Sequence, residues 1–332
     1  MRFQRNMKGL AFVVSCFTFL ICLQVGIYGA EKEVTVGYIV GSWPLDPVGL
    51  LMKEKKLLEA EGIKVKWGEY MAGAYITQHM AAGEVDFAVA VGTSPVMISK
   101  SRGVDLAILA GGSTTEGSVL VGAKHIKTIK DLDGKKVGTP GIGSIQDMMV
   151  NILERKNNVK IQHRHMKASD MPLFLQRGEI DSFIVWEPVA SHAVDQGFGH
   201  VIATSRDILP EQRCCMFVTR GELLRKDPEL VRKVLSVYMK TFEYCRKNPE
   251  EVLNLLVKST GMSKAVVNMS LKNVQVSYPP FLDIPSLKLQ VEELIKDGKI
   301  QMSDITDVDK FIEKSYSPSF LNEYLRAEKK GK

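Results

Sequence analysis

The fold is decided by the stretch AGEVDFAVAVGTSP, residues 82–95. The pattern predicts a helix that ends at Gly83, a buried strand from Phe87 to Val91, and a turn at Gly92-Thr93-Ser94 that opens the next helix. Such a turn places small side chains and backbone N–H groups at the carboxyl end of a strand, where open α/β sheets hold ligands. Three further strand-to-loop turns of this kind occur along the chain. The repeated turns suggest a protein that binds a small molecule through its loops.

The first thirty residues have the features of a secretory signal peptide. Three basic residues precede an almost unbroken apolar run from Leu10 to Val25, and Gly29-Ala30 precedes the charged start of the remaining chain. A permanent membrane anchor is the alternative, since the apolar run approaches the length that spans a bilayer. A lipoprotein anchored at Cys16 agrees less well with the sequence, because hydrophobic residues follow that cysteine. We therefore expect export to the periplasm and leave an anchored or lipidated form open.

Composition and charge exclude a nucleic-acid partner. The 332-residue chain is 45% hydrophobic and 25% charged, which is ordinary for a globular protein with a sizeable core. Its formal charge of +6 falls to +3 once residues 1–30, with three basic and no acidic side chains, are removed. That charge is too small, and too well mixed with acidic residues, to predict nucleic-acid binding.

The cysteines and histidines do not predict a metal site. Cys214, Cys215 and Cys245 remain after removal of the signal peptide, and an odd number is not a disulfide framework. The adjacent pair could form a strained vicinal disulfide, but two strand positions with one thiol packed inward is the simpler interpretation. His163 and His165 alternate on a predicted strand, with no carboxylate or cysteine at ligand spacing. We expect neither a metal nor a cofactor.

Regular alternation of strands and helices predicts an α/β fold with mostly parallel sheets covered by helices. Predicted strands span 34–39, 63–67, 87–91, 106–110, 118–122, 181–186 and 214–219, and predicted helices include 48–60, 74–82, 94–102 and 145–156. Two lobes joined by extended crossings account for this order. Lobe I comprises 31–120 and 217–332, with a helical C-terminal part that packs back on it, and lobe II comprises 121–216.

Several short motifs occur along the chain behind the predicted signal peptide. They are AGA at 72–74, AGEVDF at 82–87, GTSP at 92–95, DLDGKKV at 131–137, VWEP at 185–188 and EELIKDGKI at 292–300. In this order they resemble the type II periplasmic substrate-binding proteins of ABC transporters, and DLDGKKV is similar to the DLKGKKV of that family. The subgroup is the nitrate/sulfonate/taurine type, which also includes thiamine-pyrimidine binders. The resemblance covers about residues 33–328.

This resemblance implies a two-lobed type II periplasmic binding fold with the ligand in the cleft between the lobes. It also implies that the lobes close on one small-molecule solute and that the closed form docks on an ABC transporter permease in the inner membrane. Closure has to be driven by ligand contacts to both lobes, because only differential affinity shifts an open–closed equilibrium. We expect a monomer.

Candidate ligand-binding residues follow the strands at their carboxyl ends, and no catalytic residue is expected. The hydroxyls of Thr93 and Ser94 at a helix start are the strongest candidates, although an N-cap role would be structural. Trp43 could stack on the ligand or cap the lobe, and Glu116 could face the cleft or pair with a surface lysine. The full set is Ser42, Trp43, Gly73, Ala74, Tyr75, Thr93, Ser94, Glu116, Gly143, Ser144, Ile145, Trp186 and Glu187.

The side chains of this set predict the ligand only by class. Aromatic rings and hydroxyls with few cations suit a small flat or amphipathic solute. The loops contain no arginine that could donate two hydrogen bonds to a sulfonate or carboxylate. Glu187 and Glu116 would repel a bare anion and could accept hydrogen bonds from an amine or aminopyrimidine. A simple anion is thus disfavoured, although helix N-termini alone can hold one.

The leading hypothesis is an extracytoplasmic receptor that delivers a small organic solute to an ABC importer. A thiamine-pyrimidine synthase-like enzyme is one alternative, since relatives of this fold make that compound with a histidine and a cysteine cluster. Residues 42–47 contain no histidine and Cys214-Cys215 is too short a cluster, so no enzyme activity is expected. The extracytoplasmic ligand sensor of a signalling system is the other alternative.

Overall fold

Two β-sheets, each covered by helices, form the framework of the protein. The computed structural model describes residues 32–39, 46–115, 117–276 and 278–330. The strands, in chain order, are β1 (Lys32–Ile39), β2 (Ile63–Tyr70), β3 (Phe87–Val91), β4 (Leu106–Thr115), β5 (Ser118–Gly122), β6 (Lys136–Thr139), β7 (Gln162–His165), β8 (Ser182–Trp186), β9 (His200–Thr204), β10 (Cys214–Arg220) and β11 (Gln275–Val276).

The first sheet has six strands in the spatial order β11-β4-β10-β3-β1-β2. β1 and β3 are parallel, and β10 lies antiparallel between β3 and β4, so β1, β3 and β4 run the same way. β3 is buried along its whole length. Burial on both faces explains why its sequence is an unbroken apolar run rather than an alternating one.

The second sheet has five strands in the order β7-β6-β8-β5-β9. β6 is parallel to β7 and β8, whereas β5 is antiparallel to both β8 and β9. Four of the five strands therefore run one way. The chain leaves the first sheet after β4 and returns to it with β10, so each sheet contains a reversed strand next to the point of passage.

Helices cover both sheets. In chain order they are α1 (Asp46–Glu54), α2 (Gly73–Ala81), α3 (Thr93–Ser101), α4 (Ile145–Asn157), α5 (Met171–Gln176), α6 (Val189–Asp195), α7 (Ser205–Ile208), α8 (Gly221–Lys226), α9 (Pro228–Lys247), α10 (Pro249–Thr260), α11 (Lys264–Lys272), α12 (Ile284–Lys296), α13 (Met302–Ile305), α14 (Val308–Ser315) and α15 (Pro318–Lys330). Short 3-10 turns lie at Glu59–Glu61, Ile129–Leu132 and Ala168–Asp170.

The C-terminal helices contact both sheets rather than the first one alone. α9 packs on α1, and α14 and α15 pack on β4, as expected for a tail that returns to the first lobe. In addition, α11 contacts α6, and α12 contacts α4. Both α4 and α6 are helices that cover the second sheet. Arg155 on α4 donates hydrogen bonds to Glu293 and Asp297 at the end of α12. These charged contacts fix α12 across the boundary between the sheets.

Helix α1 ends at Glu54, earlier than predicted. Lys56 adopts the left-handed conformation with φ of 50°, and the N–H of Leu57 donates to the carbonyl of Met52 across 3.0 Å. Many helices end in this way, with a left-handed residue and a hydrogen bond from the next N–H to the carbonyl five residues earlier. The apolar periodicity continued past this point because Leu58, beyond the turn, is also buried.

Strand β4 is longer than predicted, because Gly111 does not end it. The strand continues through Thr115 beside β10, with Gly111 at φ of 131°. A Cβ atom at this position would lie 2.5 Å from the carbonyl oxygen of Cys215 and 2.6 Å from the Cα of Met216. Only glycine fits so close an approach, so this glycine allows strand pairing rather than breaking it.

No helix in the described part of the chain combines the length and apolar character that a membrane crossing requires. The predicted signal peptide, residues 1–30, lies outside the described residues.

Candidate functional site

Residues from both sheets and their helices line one cleft of about 550 Å³, a volume that includes its opening to solvent. The first sheet and its helices contribute Ile39, Ala72, Gly73, Ala74, Ala90, Gly92, Pro95, Cys214 and Cys215. The second contributes Pro140, Gly141, Ile142, Ser144, Ile145, Gln146 and Trp186. The cleft therefore lies where the carboxyl ends of β3 and β8 and the starts of α2, α3 and α4 come together, as ligand sites of α/β sheets do.

The starts of α2 and α3 form the wall on the first sheet. Ala72 and Gly92 are their N-cap residues, and neither helix start has a side-chain cap. The helices touch here, because a Cβ at Gly73 would lie 2.9 Å from Cγ of Pro95. The small residues thus let two helix starts approach each other, and no side chain satisfies their first-turn N–H groups.

Thr93 and Ser94 lie beside this wall without lining it. Both are buried, and the Thr93 hydroxyl donates to the carbonyl of Arg213 at 3.3 Å. The Ser94 hydroxyl donates to the sulfur of Met148, on α4, at 3.9 Å. The two strongest sequence candidates therefore connect α3 to the residue before β10 and to α4, while their neighbours Gly92 and Pro95 line the cleft.

The loop before α4 forms the opposite wall. The Ser144 hydroxyl accepts a hydrogen bond from the N–H of Asp147 at 3.1 Å, and Oδ2 of Asp147 accepts one from the N–H of Gly143 at 2.9 Å. This reciprocal pair fixes the loop to the first turn of the helix. Gly143 also meets the first sheet's helices, since a Cβ there would lie 3.0 Å from Cδ1 of Ile98.

A buried charge network supports this loop from behind. Nδ1 of His163 lies 2.8 Å from Oδ1 of Asp147, and its Nε2 lies 3.3 Å from Glu154. Burial disfavours the ionised form of Asp147, but the hydrogen bonds from His163 and Gly143 outweigh it and lower the pKa of the carboxyl. The bond to Asp147 raises the pKa of His163, whereas burial lowers the pKa of His165. The hydrogen bond between His163 and Asp147 therefore holds the loop, and it favours the protonated form of the imidazole.

Gln146 and Trp186 complete the second wall. The Gln146 side chain is buried and donates to the hydroxyl of Ser118, at the start of β5, across 2.8 Å. Ser118 pairs in register with Trp186, the last residue of β8. Ser118 thereby links Gln146 to the carboxyl end of β8, and both Gln146 and Trp186 line the cleft.

Cys214 and Cys215 both line the cleft, and both are 4% exposed. The thiol of Cys215 donates to the sulfur of Cys214 at 2.9 Å. Cys215 has φ of 71°, so the usual alternation of side chains along a strand is interrupted. Both cysteines are free and lie in β10, as predicted, but both side chains are buried rather than one alone.

The cleft has few formal charges but a polar backbone. Among the described lining residues there is no Asp, Glu, Lys, Arg or His. The first turns of three helices, α2 and α3 with nine residues each and α4 with thirteen, border it. Aligned peptide dipoles give such helix starts a partial positive charge, which favours a negatively charged group.

Glu187 follows Trp186 but is turned away from the cleft. Its carboxylate is fully buried and accepts hydrogen bonds from the N–H and hydroxyl of Ser191, at 2.9 and 2.8 Å, and from the amide of Asn273, at 2.5 Å. Burial raises the pKa of Glu187, and these hydrogen bonds oppose the effect. The side chain therefore joins α6 to the end of α11 and does not line the site.

The structure thus brings together a subset of the predicted site residues. Gly73, Ala74, Ser144, Ile145 and Trp186 line the cleft, and Gly143 belongs to the same loop as Ser144 but is not among the lining residues. Tyr75 is 47% exposed beyond the lining. Ser42, Trp43 and Glu116 lie outside the described residues.

Sequence reasoning missed part of the lining. The missed residues share small or apolar side chains that carry no chemical signature, apart from Gln146 and the cysteines: Ile39, Ala72, Ala90, Gly92, Pro95, Pro140, Gly141, Ile142, Gln146, Cys214 and Cys215. A usable signal was available for two of them, since Ala72 and Gly92 immediately precede helices that the pattern predicted.

A metal centre finds no support within the described ranges, where no group of three or more His, Cys, Asp or Glu side chains is arranged to hold an ion. His163 and His165 are instead engaged by Asp147 and by Thr139, respectively.

The sequence of this chain is similar to those of known proteins. The family model described as the NMT1-like family matches residues 29–256. A putative aliphatic sulfonates-binding protein of Bacillus subtilis (strain 168) is 26% identical over 332 residues, which cover 93% of this chain and 96% of that protein.

Two solved structures are similar in fold. The ligand-binding component of an ABC-type import system from Staphylococcus aureus has a TM-score of 0.70 at 21% identity, over 89% of this chain and 99% of that one. The periplasmic nitrate-binding protein NrtA from Synechocystis PCC 6803 has a TM-score of 0.73 at 16% identity, over 90% and 89% of the two chains. The predicted α/β fold with two helix-covered sheets is confirmed.

Proposed function

Because this chain belongs to the NMT1-like family, we propose that it is the extracytoplasmic solute-binding component of an ABC import system and that its ligand is a small organic anion of the alkanesulfonate class. Membership in this family confirms the resemblance inferred from the motifs. The geometry of the cleft supports the second part of the proposal, the class of the ligand.

The observation that carries the proposal is the pair of uncapped helix starts at α2 and α3. Ala72 and Gly92 offer no side-chain acceptor to the first-turn N–H groups, and both residues line the cleft. Donors left without a cap at a helix start are suited to the oxygens of an anion, and the helix dipole adds to the attraction. A sulfonate has three such oxygens.

The position of Glu187 removes one of the two arguments against an anion, and the other, the shortage of cations, leaves the helix starts to supply the positive charge. The sequence suggested that this carboxylate would face the ligand and repel a negative charge. In the structure Ser191 and Asn273 enclose it, and it lies outside the lining. Glu116, the other carboxylate considered, is outside the described residues.

The apolar walls favour an anion that carries a carbon chain. Ile39, Ile142, Ile145 and Trp186 line the cleft and offer apolar surface to a carbon chain, which a three-oxygen inorganic ion does not have. The Bacillus subtilis relative is named for aliphatic sulfonates, and the Synechocystis neighbour for nitrate. Both anions carry oxygens around one central atom, and the apolar lining of this cleft favours the anion that has a carbon chain.

Transport follows from contacts made by both sides of the cleft. In this proposal lobe I is 31–120 with 217–332, lobe II is 121–216, and a monomer closes on the ligand before it docks on the permease. α3 and α4 already touch through Ser94 and Met148. A ligand held by α2 and α3 on one side and by Ser144 on the other stabilises the closed form, because its contacts are complete only there.

We propose binding without chemical conversion, consistent with relatives that are named as binding proteins. Thermal unfolding with 1-butanesulfonate, nitrate, butane-1-sulfonamide and butylamine tests the ligand class. The sulfonate is expected to raise the melting temperature by mass action, and the neutral sulfonamide of equal shape is expected to leave it unchanged. A shift with butylamine alone, or with none of the four, would contradict the anion assignment.

A further inference from the structure

The adjacent thiols of Cys214 and Cys215 occupy a place in the fold that packing alone does not require. They lie at the start of β10 and in the wall of the ligand cleft. Their sulfur atoms are 2.9 Å apart. In a regular strand, consecutive side chains point to opposite faces, so two neighbouring thiols in contact need a special backbone.

That special backbone is present and is held by the strands on either side. Cys215 is left-handed at φ of 71°, and Ala90 on the neighbouring β3 is left-handed at φ of 59°. The pairing register of β10 with β4 shifts between Cys214 and Met216, where Gly111 approaches the Cys215 carbonyl. A left-handed conformation in a residue other than glycine is unfavourable and persists where the surroundings over-determine it, which is common at functional sites.

We propose that Cys214 and Cys215 form a redox site in the wall of the ligand cleft, where a disulfide-containing oxidant closes them into a vicinal disulfide that weakens ligand binding. The thiolate of one cysteine attacks a sulfur of the oxidant's disulfide and releases one oxidant thiol. The second thiolate attacks the mixed disulfide, forms the bond between the two cysteines and releases the second oxidant thiol. The chain loses two protons and two electrons, and the oxidant gains them as two thiols.

The expected effect on the ligand follows from the hydrogen atoms that are lost. Each reduced cysteine has a weak S–H donor, whereas a disulfide has none. Oxidation therefore removes S–H groups and makes less polar a wall that, under the proposed function, faces an anion, and it constrains the start of β10. The exported location that the family indicates is an oxidising one, which permits such a bond.

Cys245 is the matched control. It lies on α9 and is not among the residues that line the cleft. Burial raises the pKa of the Cys245 thiol to about 12, so little of the reactive thiolate is present.

Thiol counting tests the site without any ligand. The full chain is incubated with oxidised glutathione, denatured, alkylated and digested, and the peptide with Cys214 and Cys215 is examined by mass spectrometry. We expect this peptide to be two hydrogens lighter and unalkylated, with dithiothreitol restoring two alkylated cysteines. Cys214→Ser and Cys215→Ser abolish the change, and Cys245→Ser leaves it intact. Two alkylated thiols after oxidation, or only glutathione adducts, would overturn the proposal.

Calorimetric titration with 1-butanesulfonate tests the effect on the cleft. The oxidised wild type is expected to bind about two- to tenfold more weakly than the reduced form, as for the loss of one modest hydrogen bond. Cys245→Ser is expected to respond as the wild type does, and the double serine variant not to respond. Equal affinity of a disulfide-bonded and a reduced sample would refute the coupling. If neither form binds the sulfonate, the proposed ligand is wrong, and the thiol count alone decides the redox site.

Discussion

Nδ1 of His163 lies 2.8 Å from Oδ1 of Asp147, and the other oxygen of that carboxylate accepts the N–H of Gly143 at 2.9 Å. One buried carboxylate thus connects strand β7 to the loop that walls the cleft. Because the loop residues on either side, Ile142 and Ser144, line the cleft, the charge of Asp147 positions the binding surface without touching the ligand.

Replacing Asp147 with asparagine should loosen this loop. The amide keeps the shape of the side chain, but it removes the negative charge and replaces with an NH₂ group one of the two oxygens that contact Gly143 and His163. The free energy of unfolding should fall by about 1–3 kcal/mol, the usual effect of unsatisfied buried donors. Urea denaturation measures this. Asp195→Asn, at an exposed carboxylate on α6, is the control, and an equal loss in both variants would contradict a specific role for Asp147.

The same pair predicts a pH dependence. The ordinary pKa of His163 is 6.5, and its pKa in the folded protein is raised by Asp147. A raised folded-state pKa contributes stability that is fully present below the unfolded-state pKa and is lost as the pH rises through the folded-state value. The stability difference between the wild type and His163→Gln should therefore be larger at about pH 5.5 than at about pH 8.5. Urea denaturation at both values measures it, and a difference that grows with pH would reverse the sign of the argument.

The strands that sequence patterns predicted best are those with no exposed face. The bounds of β3 and β5 agree with prediction, because each is buried throughout and its apolar run has sharp ends. β4 was cut short at Gly111, since a glycine that permits close strand approach looks the same in sequence as one that ends a strand. Local composition cannot separate these two roles.

The lining of the cleft was harder to predict than its location. The helix starts were found from their turns, but which side chains face the ligand depends on partners far along the chain. Glu187 was expected in the cleft, and it is instead bound by Asn273, 86 residues later. Cys215 leaves the strand alternation because of a left-handed backbone that its residue type does not signal.

Glu187→Gln tests whether this buried carboxylate stabilises the contact between α6 and the end of α11. Donors from Ser191, Asn273 and Ser270 converge on it, so an amide NH₂ group in its place would face at least one of them. The free energy of unfolding should fall by about 1–3 kcal/mol. Glu211→Gln, at an exposed glutamate before β10, is the control in the same denaturation experiment. Unchanged stability together with altered ligand affinity would instead place Glu187 in the binding site.

Charge substitutions at Ile142 should reveal the sign of the ligand's charge. Ile142 lines the cleft and is 65% exposed, so aspartate, lysine or asparagine can replace it without burying a charge. An aspartate close to a bound anion adds repulsion that solvent only partly screens. Calorimetric titration with 1-butanesulfonate should show about tenfold weaker binding for Ile142→Asp, a difference of about 1.4 kcal/mol, and tighter binding for Ile142→Lys.

Ile142→Asn is the matched neutral control for both charged variants, because it removes the same apolar surface without adding a charge. Its affinity should lie between those of the aspartate and lysine variants, and added salt should bring the three together, since screening weakens only the electrostatic part. If all three variants lost affinity equally, the isoleucine would act through apolar contact alone. The reverse order, with aspartate tightest, would require a cationic ligand and would exclude the helix starts of α2 and α3 as the anion-binding wall.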